Sequence, residues 1–73
     1  MPDFAEQIGS RIRNIRHSKV MKQEELAVSV KTTRSYVSQI ENGTINMRID
    51  TLEAICKGLD IKPWELLQGI EIE

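Results

Sequence analysis

The stretch of sequence that decides the fold runs from residue 23 to residue 43 and reads QEELAVSVKTTRSYVSQIENG. It predicts two short helices joined by a tight polar turn. At about 100° per residue, Val37 and Ile40 fall on one side of the second helix, which begins near Arg34. Four polar residues occupy an arc of about 140° on the opposite side. They are Arg34, Ser35, Ser38 and Gln39.

The composition of this polar arc distinguishes it from a side that only faces water. Every amphipathic surface helix has a polar side, and a solvated side is ordinarily rich in Glu and Lys. Here a single Arg stands among small or uncharged side chains, which are suited to hydrogen-bonding base edges. The pattern favours a helix that contacts DNA, with an ordinary solvated helix as the alternative.

Length and composition restrict the class of protein. A chain of 73 residues has room for one domain, which buries only about 60% of its unfolded surface. The 40% hydrophobic content supports a packed fold. The single cysteine, Cys56, lies at helical spacing with Leu52 and Leu59, so we expect a buried structural thiol. No apolar run is long enough for a membrane span or a signal peptide, which predicts a cytoplasmic protein.

Charge is divided unevenly along the chain. The formal net charge is −1. Residues 1–48 hold eight basic and five acidic side chains, a balance of +3, whereas residues 49–73 hold two basic and six acidic ones, a balance of −4. The excess of positive charge therefore accompanies the polar arc. Its modest size argues against strong sequence-independent binding and favours an oligomer at a specific site.

Apolar spacing predicts five short helices and no sheet of any size. The first helix is expected from Phe4 or Ala5 to His17 or Ser18, and the second from near Gln23. The third follows the caps Thr32 and Thr33 and ends at Asn42 and Gly43. The fourth runs from Ile49 or Asp50 to Lys57, and the fifth from Pro63 to a stop at Gln68 and Gly69. Ile49 is expected in the apolar stripe of the fourth helix. The closing Ile-Glu-Ile-Glu alternates as a strand does, so it is either a frayed tail or an edge that pairs in a dimer.

Taken in order, these segments resemble the phage-repressor and Cro type of helix-turn-helix protein, often named for the xenobiotic response element. The likeness covers about residues 8–67 and is carried by residues 23–27, 34–43, 51–55 and 59–67. It implies an all-α, compact, five-helix, lambda-repressor-like domain spanning residues 1–73. The helix-turn-helix is expected at about 23–41 and a dimerisation region at about 59–73. Residues 34–41 and the loop after them look similar to restriction–modification controller proteins, which activate and repress their operon.

The resemblance also implies roles for individual residues. In that family the third helix enters the major groove, so the base-reading residues here would be Arg34, Ser35, Ser38 and Gln39. Phosphate contacts would come from Gln23, Tyr36, Thr44, Asn46 and Arg48, with burial of the Tyr36 ring against Ile40 as an equal alternative. Arg16 and Glu41 match a pair that forms a structural salt bridge in several relatives; the alternative is two independent surface charges.

Three positions depart from the family pattern. Lys31 stands where the turn between the two helices usually has Gly, and a left-handed Lys there would add strain of about 1 kcal/mol. Lys22 replaces the customary Ser or Thr cap, and Met47 replaces a common Pro. His17 has no Cys or His partner at metal-ligand spacing, so no metal site or cofactor is expected.

The resulting hypothesis is a sequence-specific transcriptional regulator that binds double-stranded DNA as a homodimer on a two-fold operator in the cytoplasm, associated with the nucleoid. The predicted dimer surface consists of Ile61, Trp64, Leu67, Ile70 and Ile72, with burial of Trp64 in the monomer core as the alternative. No enzyme motif, membrane contact or small-molecule effector domain is expected. A second hypothesis is a protein-interaction module, such as an antitoxin, that uses the same fold to bind a partner protein.

Overall fold

Five α-helices follow one another in the computed structural model, which describes residues 3–72; Met1, Pro2 and Glu73, at the ends of the predicted domain, lie outside the described residues. The helices are α1 (Phe4–Ser18), α2 (Gln23–Val30), α3 (Arg34–Glu41), α4 (Ile49–Leu59) and α5 (Pro63–Leu67). Residues 3–72 contain no strand. The predicted all-α class with five helices is confirmed.

The helix starts follow from local side-chain chemistry. The Asp3 carboxylate accepts the Glu6 N–H at 2.8 Å, and the Glu6 carboxylate accepts the Asp3 N–H in return, which completes a capping box for α1. The Thr33 hydroxyl accepts the Tyr36 N–H at 3.1 Å and caps α3. Lys22 has no oxygen to cap α2, although the Glu25 carboxylate accepts its N–H at 2.9 Å.

The end of α4 differs from the prediction by two residues. The helix continues past Lys57 to Leu59, and Asp60 then adopts a left-handed conformation with φ of 56°. Gly58 lies inside the helix because it faces α2 closely: a Cβ there would meet a Leu26 methyl at 3.1 Å. A glycine near a predicted terminus was therefore a packing position and not the stop signal.

The core fills the space between the helices. α2 packs against α3 and α4, and α1 packs against α3 and α5. The buried apolar side chains are Ile8, Ile12, Ile15, Leu26, Ala27, Val37, Ile40, Ile55, Cys56, Leu59 and Leu66. Cys56 is buried as predicted, and burial raises the pKa of its thiol.

Two glycines allow α1 to approach the end of α3. A Cβ on Gly9 would lie 2.6 Å from the Glu41 carbonyl oxygen and closer still to that of Ile40. Gly43, with φ of +70°, takes the left-handed conformation after α3, and a Cβ there would lie 2.6 Å from the Glu6 Cα. The position of α3 is therefore set by backbone contact with α1.

The turn between α2 and α3 is left-handed at Lys31, where φ is 62° and ψ is 46°. Because Lys31 is left-handed, its side chain adds the strain predicted from the sequence for this conformation. Val20, in the turn after α1, also has a positive φ, of 53°.

The final described residues lie against α1 without forming a strand. The Glu71 N–H donates to the Gln7 side-chain oxygen at 2.8 Å, and the Gln7 amide donates to the Glu71 carbonyl at 2.9 Å. Ile70 packs against the core. The alternative of a frayed tail is therefore wrong at Glu71. No helix within residues 3–72 has the length and apolar character needed to cross a membrane.

Candidate nucleic-acid interface

The two sides of α3 separate as the helical spacing predicts. Val37 and Ile40 are buried, so the helix is held by its apolar side. Arg34, Ser35 and Gln39 are exposed, whereas Ser38 is half-buried. These four side chains are those predicted to contact bases, and three of them are freely accessible to a groove.

The inner end of α3 is fixed by a buried carboxylate. Glu41 accepts two hydrogen bonds from Arg16 of α1, from Nε to Oε2 at 2.6 Å and from Nη2 to Oε1 at 3.0 Å. Arg13 Nε lies 3.5 Å from the same Oε1, and the Gln23 side-chain amide of α2 donates to it at 3.0 Å. Arg16 also donates to the Met21 carbonyl at 2.8 Å. One carboxylate therefore connects α1, α2 and α3.

The surroundings of Glu41 keep it ionised. Burial by itself raises the pKa of this carboxyl, but hydrogen bonds from Arg16 and Gln23 and the charges of Arg16 and Arg13 outweigh burial, so its pKa is lowered. The ionised network contributes stability above the pKa of an unfolded Glu, about 4.3. That contribution is lost as the pH falls through the lowered pKa of the folded state.

The N-terminus of α2 opens onto a shallow polar depression of about 300 Å³, lined by Arg16, Lys22, Gln23, Glu24 and Arg34. Within the described residues the Glu25 carboxylate takes the N–H of the cap residue Lys22, and no side chain accepts from the N–H groups of the first helical turn, which remain available to an anion. The predicted phosphate ligand Gln23 and base reader Arg34 are brought together here. Lys22, which the sequence offered only as a poor cap, lines the same depression.

The loop between α3 and α4 contains three more of the predicted phosphate ligands, which differ in whether their donors are free. Asn46 and Arg48 are exposed. Thr44 donates both its N–H (3.1 Å) and its hydroxyl (3.2 Å) to the Gln39 carbonyl. In this conformation Thr44 caps α3 and has no donor left for a phosphate, so the geometry does not support the role predicted for it. The Tyr36 ring is half-buried against the core, which agrees with the predicted alternative that this ring is buried.

Residues 9–72 match the model of a known domain family, described as "Helix-turn-helix domain". The chain belongs to the helix-turn-helix family. Control protein C.BamHI of Bacillus amyloliquefaciens is 45% identical over 60 residues, which cover 81% of this chain and 74% of that protein.

Solved helix-turn-helix structures share the fold. The restriction–modification controller protein C.AhdI from Aeromonas hydrophila aligns with a TM-score of 0.82 and 35% identity, over 85% of this chain and 94% of that one. The controller protein C.Esp1396I, solved as a tetramer in complex with its natural 35 base-pair operator, aligns with a TM-score of 0.84 and 32% identity, over 93% and 90% of the two chains. The predicted resemblance to controller proteins is confirmed.

A second face of this helix-turn-helix domain is apolar. Of the residues predicted for the dimer surface, Trp64 is 66% exposed, and Leu67 and Ile72 are also exposed. The alternative that Trp64 is buried in the monomer core is wrong. Ile61 and Ile70 are half-buried against the core and offer less surface.

Ile49 is the apolar residue that sequence reasoning placed wrongly. It was expected to face the core, but it is the first residue of α4 and is 85% exposed. Ile49 and Leu52 separate two apolar grooves of about 410 and 570 Å³. Phe4 and Leu67 line the first groove, and residues of α4 and the start of α5 line the second.

Proposed function

We propose that the protein is a sequence-specific transcriptional regulator that binds a two-fold DNA operator as a homodimer and controls a restriction–modification operon. The observation that carries this proposal is the polar arc of α3, exposed at Arg34, Ser35 and Gln39, beside a depression at the N-terminus of α2 that is lined by three basic side chains, Gln23 and Glu24. The similarity to controller proteins over most of the chain supports the same function, because one of those proteins was solved in complex with its operator.

In the proposed complex α3 lies in the major groove. Arg34 pairs with a guanine and Gln39 with an adenine, each contact contributing ~1–3 kcal/mol of discrimination between bases. The small side chains of Ser35 and Ser38 permit close approach to the groove. Arg34 also lies at the edge of the α2 depression, so one residue connects base contact with backbone contact.

Phosphate contacts are proposed on both sides of α3. Gln23, Lys22 and the free N–H groups of α2 bind on one side. Asn46 and Arg48 bind on the other, and Tyr36 contributes through its hydroxyl. Thr44 would join them only if its hydroxyl left the Gln39 carbonyl.

Dimerisation is proposed through the apolar face. One short recognition helix contacts few base pairs, whereas two helices about 34 Å apart engage successive major-groove faces. In a two-fold interface the ridge of Ile49 and Leu52 enters a groove of the partner, and the reciprocal contact is identical. Leu67 lines the first groove and Ile61 the second, and the proposed interface also includes Trp64, Ile70 and Ile72. Such a regulator acts where the DNA lies, in the cytoplasm and associated with the nucleoid.

The interface is tested by Ile49→Asp, with Val28→Asp as the matched control. Val28 is an apolar residue on α2 that is 77% exposed, against 85% for Ile49, and lines neither groove. Sedimentation should show a monomer for I49D and a dimer for V28D. A stable I49D dimer would remove Ile49 from the interface.

The function is tested by selecting DNA from a random pool with the purified protein and sequencing what is bound. We expect a two-fold site with a fixed half-site spacing, and affinity that falls steeply with salt. R34A and Q39A should relax the base preference at one position each while the fold is retained. Absence of any DNA binding at low salt would instead favour a protein-interaction module.

A further inference from the structure

We infer that Glu41 is a positioning residue for DNA binding, because it orients the Gln23 amide towards the DNA backbone before DNA arrives. This inference rests on the proposed function and deepens it. It assigns to a buried carboxylate, which never reaches the DNA, a role in one particular phosphate contact.

The argument starts from the hydrogens of the Gln23 amide. Its Nε2 has two hydrogens, and one of them is donated to Glu41 Oε1 at 3.0 Å. The second hydrogen is left for an acceptor, in the depression where the N–H groups of α2 are uncapped. A phosphate oxygen placed there would accept from the Gln23 side chain and from the helix N-terminus together.

The acceptor that holds Gln23 is itself immobile. The Glu41 side chain is fully buried, and the 8%-exposed side chain of Arg16 contacts both of its oxygens. Arg16 is fixed in turn by the Met21 carbonyl, just before α2 begins. The Gln23 amide is thus tethered to a rigid point and not to another surface side chain.

The tether has an energetic consequence for binding. A free glutamine side chain loses rotamer freedom when it is immobilised, and that loss weakens the contact it makes. Here part of the loss is incurred on folding, so a phosphate meets an amide that is already oriented. Glu41 would then act on affinity through Gln23, in addition to joining α1 to α3.

The test uses the selected operator with each phosphate of one half-site replaced singly by an uncharged methylphosphonate. For the wild-type protein, replacement of the phosphate bound at Gln23 should reduce affinity about tenfold, which equals ~1.4 kcal/mol. Q23A identifies that phosphate as the one at which its response falls from tenfold to less than threefold, the remainder coming from Lys22 and the N–H groups of α2.

The decisive variant is the double substitution R16M and E41L, which replaces the buried ion pair by apolar side chains that the core can accommodate. It should bind operator but respond less than threefold to replacement of the phosphate identified by Q23A. Ile12→Val, a buried apolar change on α1 that leaves the Gln23 hydrogen bond to Glu41 in place, should keep the tenfold response despite its lower stability.

A tenfold response retained by R16M and E41L would overturn the inference, as would a Q23A protein that responds like the wild type at every phosphate. If the double variant does not fold, nuclear magnetic relaxation of the Gln23 side-chain amide in the free wild-type protein decides. An ordered amide supports the tether, and a mobile one overturns it. Failure of the wild-type protein to select any operator would instead refute the proposed function.

Discussion

Two ion pairs of this domain differ in burial and in the number of hydrogen bonds they share. At the junction of α1 and α3, the Arg16 and Glu41 side chains are 8% and 0% exposed and share two hydrogen bonds. At the start of α4, Arg48 and Asp50 are 81% and 67% exposed and share one, at 3.1 Å. Opposite charges at similar separations thus meet in a dry site in one case and in water in the other.

The difference shows how the surface is divided between a fixed part and an adaptable part. The buried network fixes α3 and the start of α2 before DNA binds. The loop from α3 to α4 is anchored to the core by Ile45 and Met47, whereas its exposed residues are held only by the capping bonds of Thr44 and by an exposed pair of little energetic value. A rigid recognition helix preserves base register, while the exposed side chains of the loop can adjust to the path of the DNA backbone.

Substitution of Glu41 is expected to have the largest effect on the difference in stability between the two ion pairs. Glu41→Ala leaves the buried Arg16 charge unpaired, so we expect a loss of about 3–5 kcal/mol in the free energy of unfolding, measured by urea denaturation. Asp50→Ala is the matched control at the exposed pair and should lose ~1 kcal/mol or less. Equal losses in the two variants would refute the distinction between the pairs.

Gly9→Ala tests whether backbone contact fixes the same junction. The added Cβ would lie 2.6 Å from the Glu41 carbonyl oxygen, so α1 and α3 must separate. The expected cost is about 1–3 kcal/mol, measured by thermal unfolding. Ser10→Ala, at the next and exposed position of α1, should be close to neutral. A G9A protein as stable as S10A would show that the junction can relax.

Lys31→Gly tests whether the turn that leads into α3 is strained. Lys31 is left-handed and exposed, so glycine relieves strain and should raise stability by about 1 kcal/mol. Lys31→Ala retains the Cβ and should bring little of that gain. If both variants gain equally, the charge of Lys31 and not its backbone conformation is the cause.

Arg48→Ala has the smallest expected effect on stability, within about 0.5 kcal/mol. Its effect should appear in DNA binding, because loss of one phosphate contact lowers the slope of log affinity against log salt by roughly 1. Base preference in the selected operator should be unchanged. A changed preference would mean that this residue reads sequence and does not only contact the backbone.

Most of the fold was predictable from residues close together in the chain. The spacing of Ile8, Ile12 and Ile15, the cap at Thr33 and the proline at residue 63 determined where α1, α3 and α5 lie. The end of α4 was mispredicted because Gly58 has a tertiary reason to be small. Ile49 was misplaced because helical periodicity defines the apolar side of a helix and not how far along that side the core extends.

By itself, the sequence determined the helix-turn-helix and the polar arc of α3, because each depends on interactions within one or two helical turns. Only the tertiary structure decided that Gln23 and Glu41 share a hydrogen bond, that Thr44 has no free donor and that Ile49 and Trp64 are exposed. These outcomes depend on how helices pack. A short range of sequence does not encode the distance between two side chains on different helices; the shape of the filled core sets it.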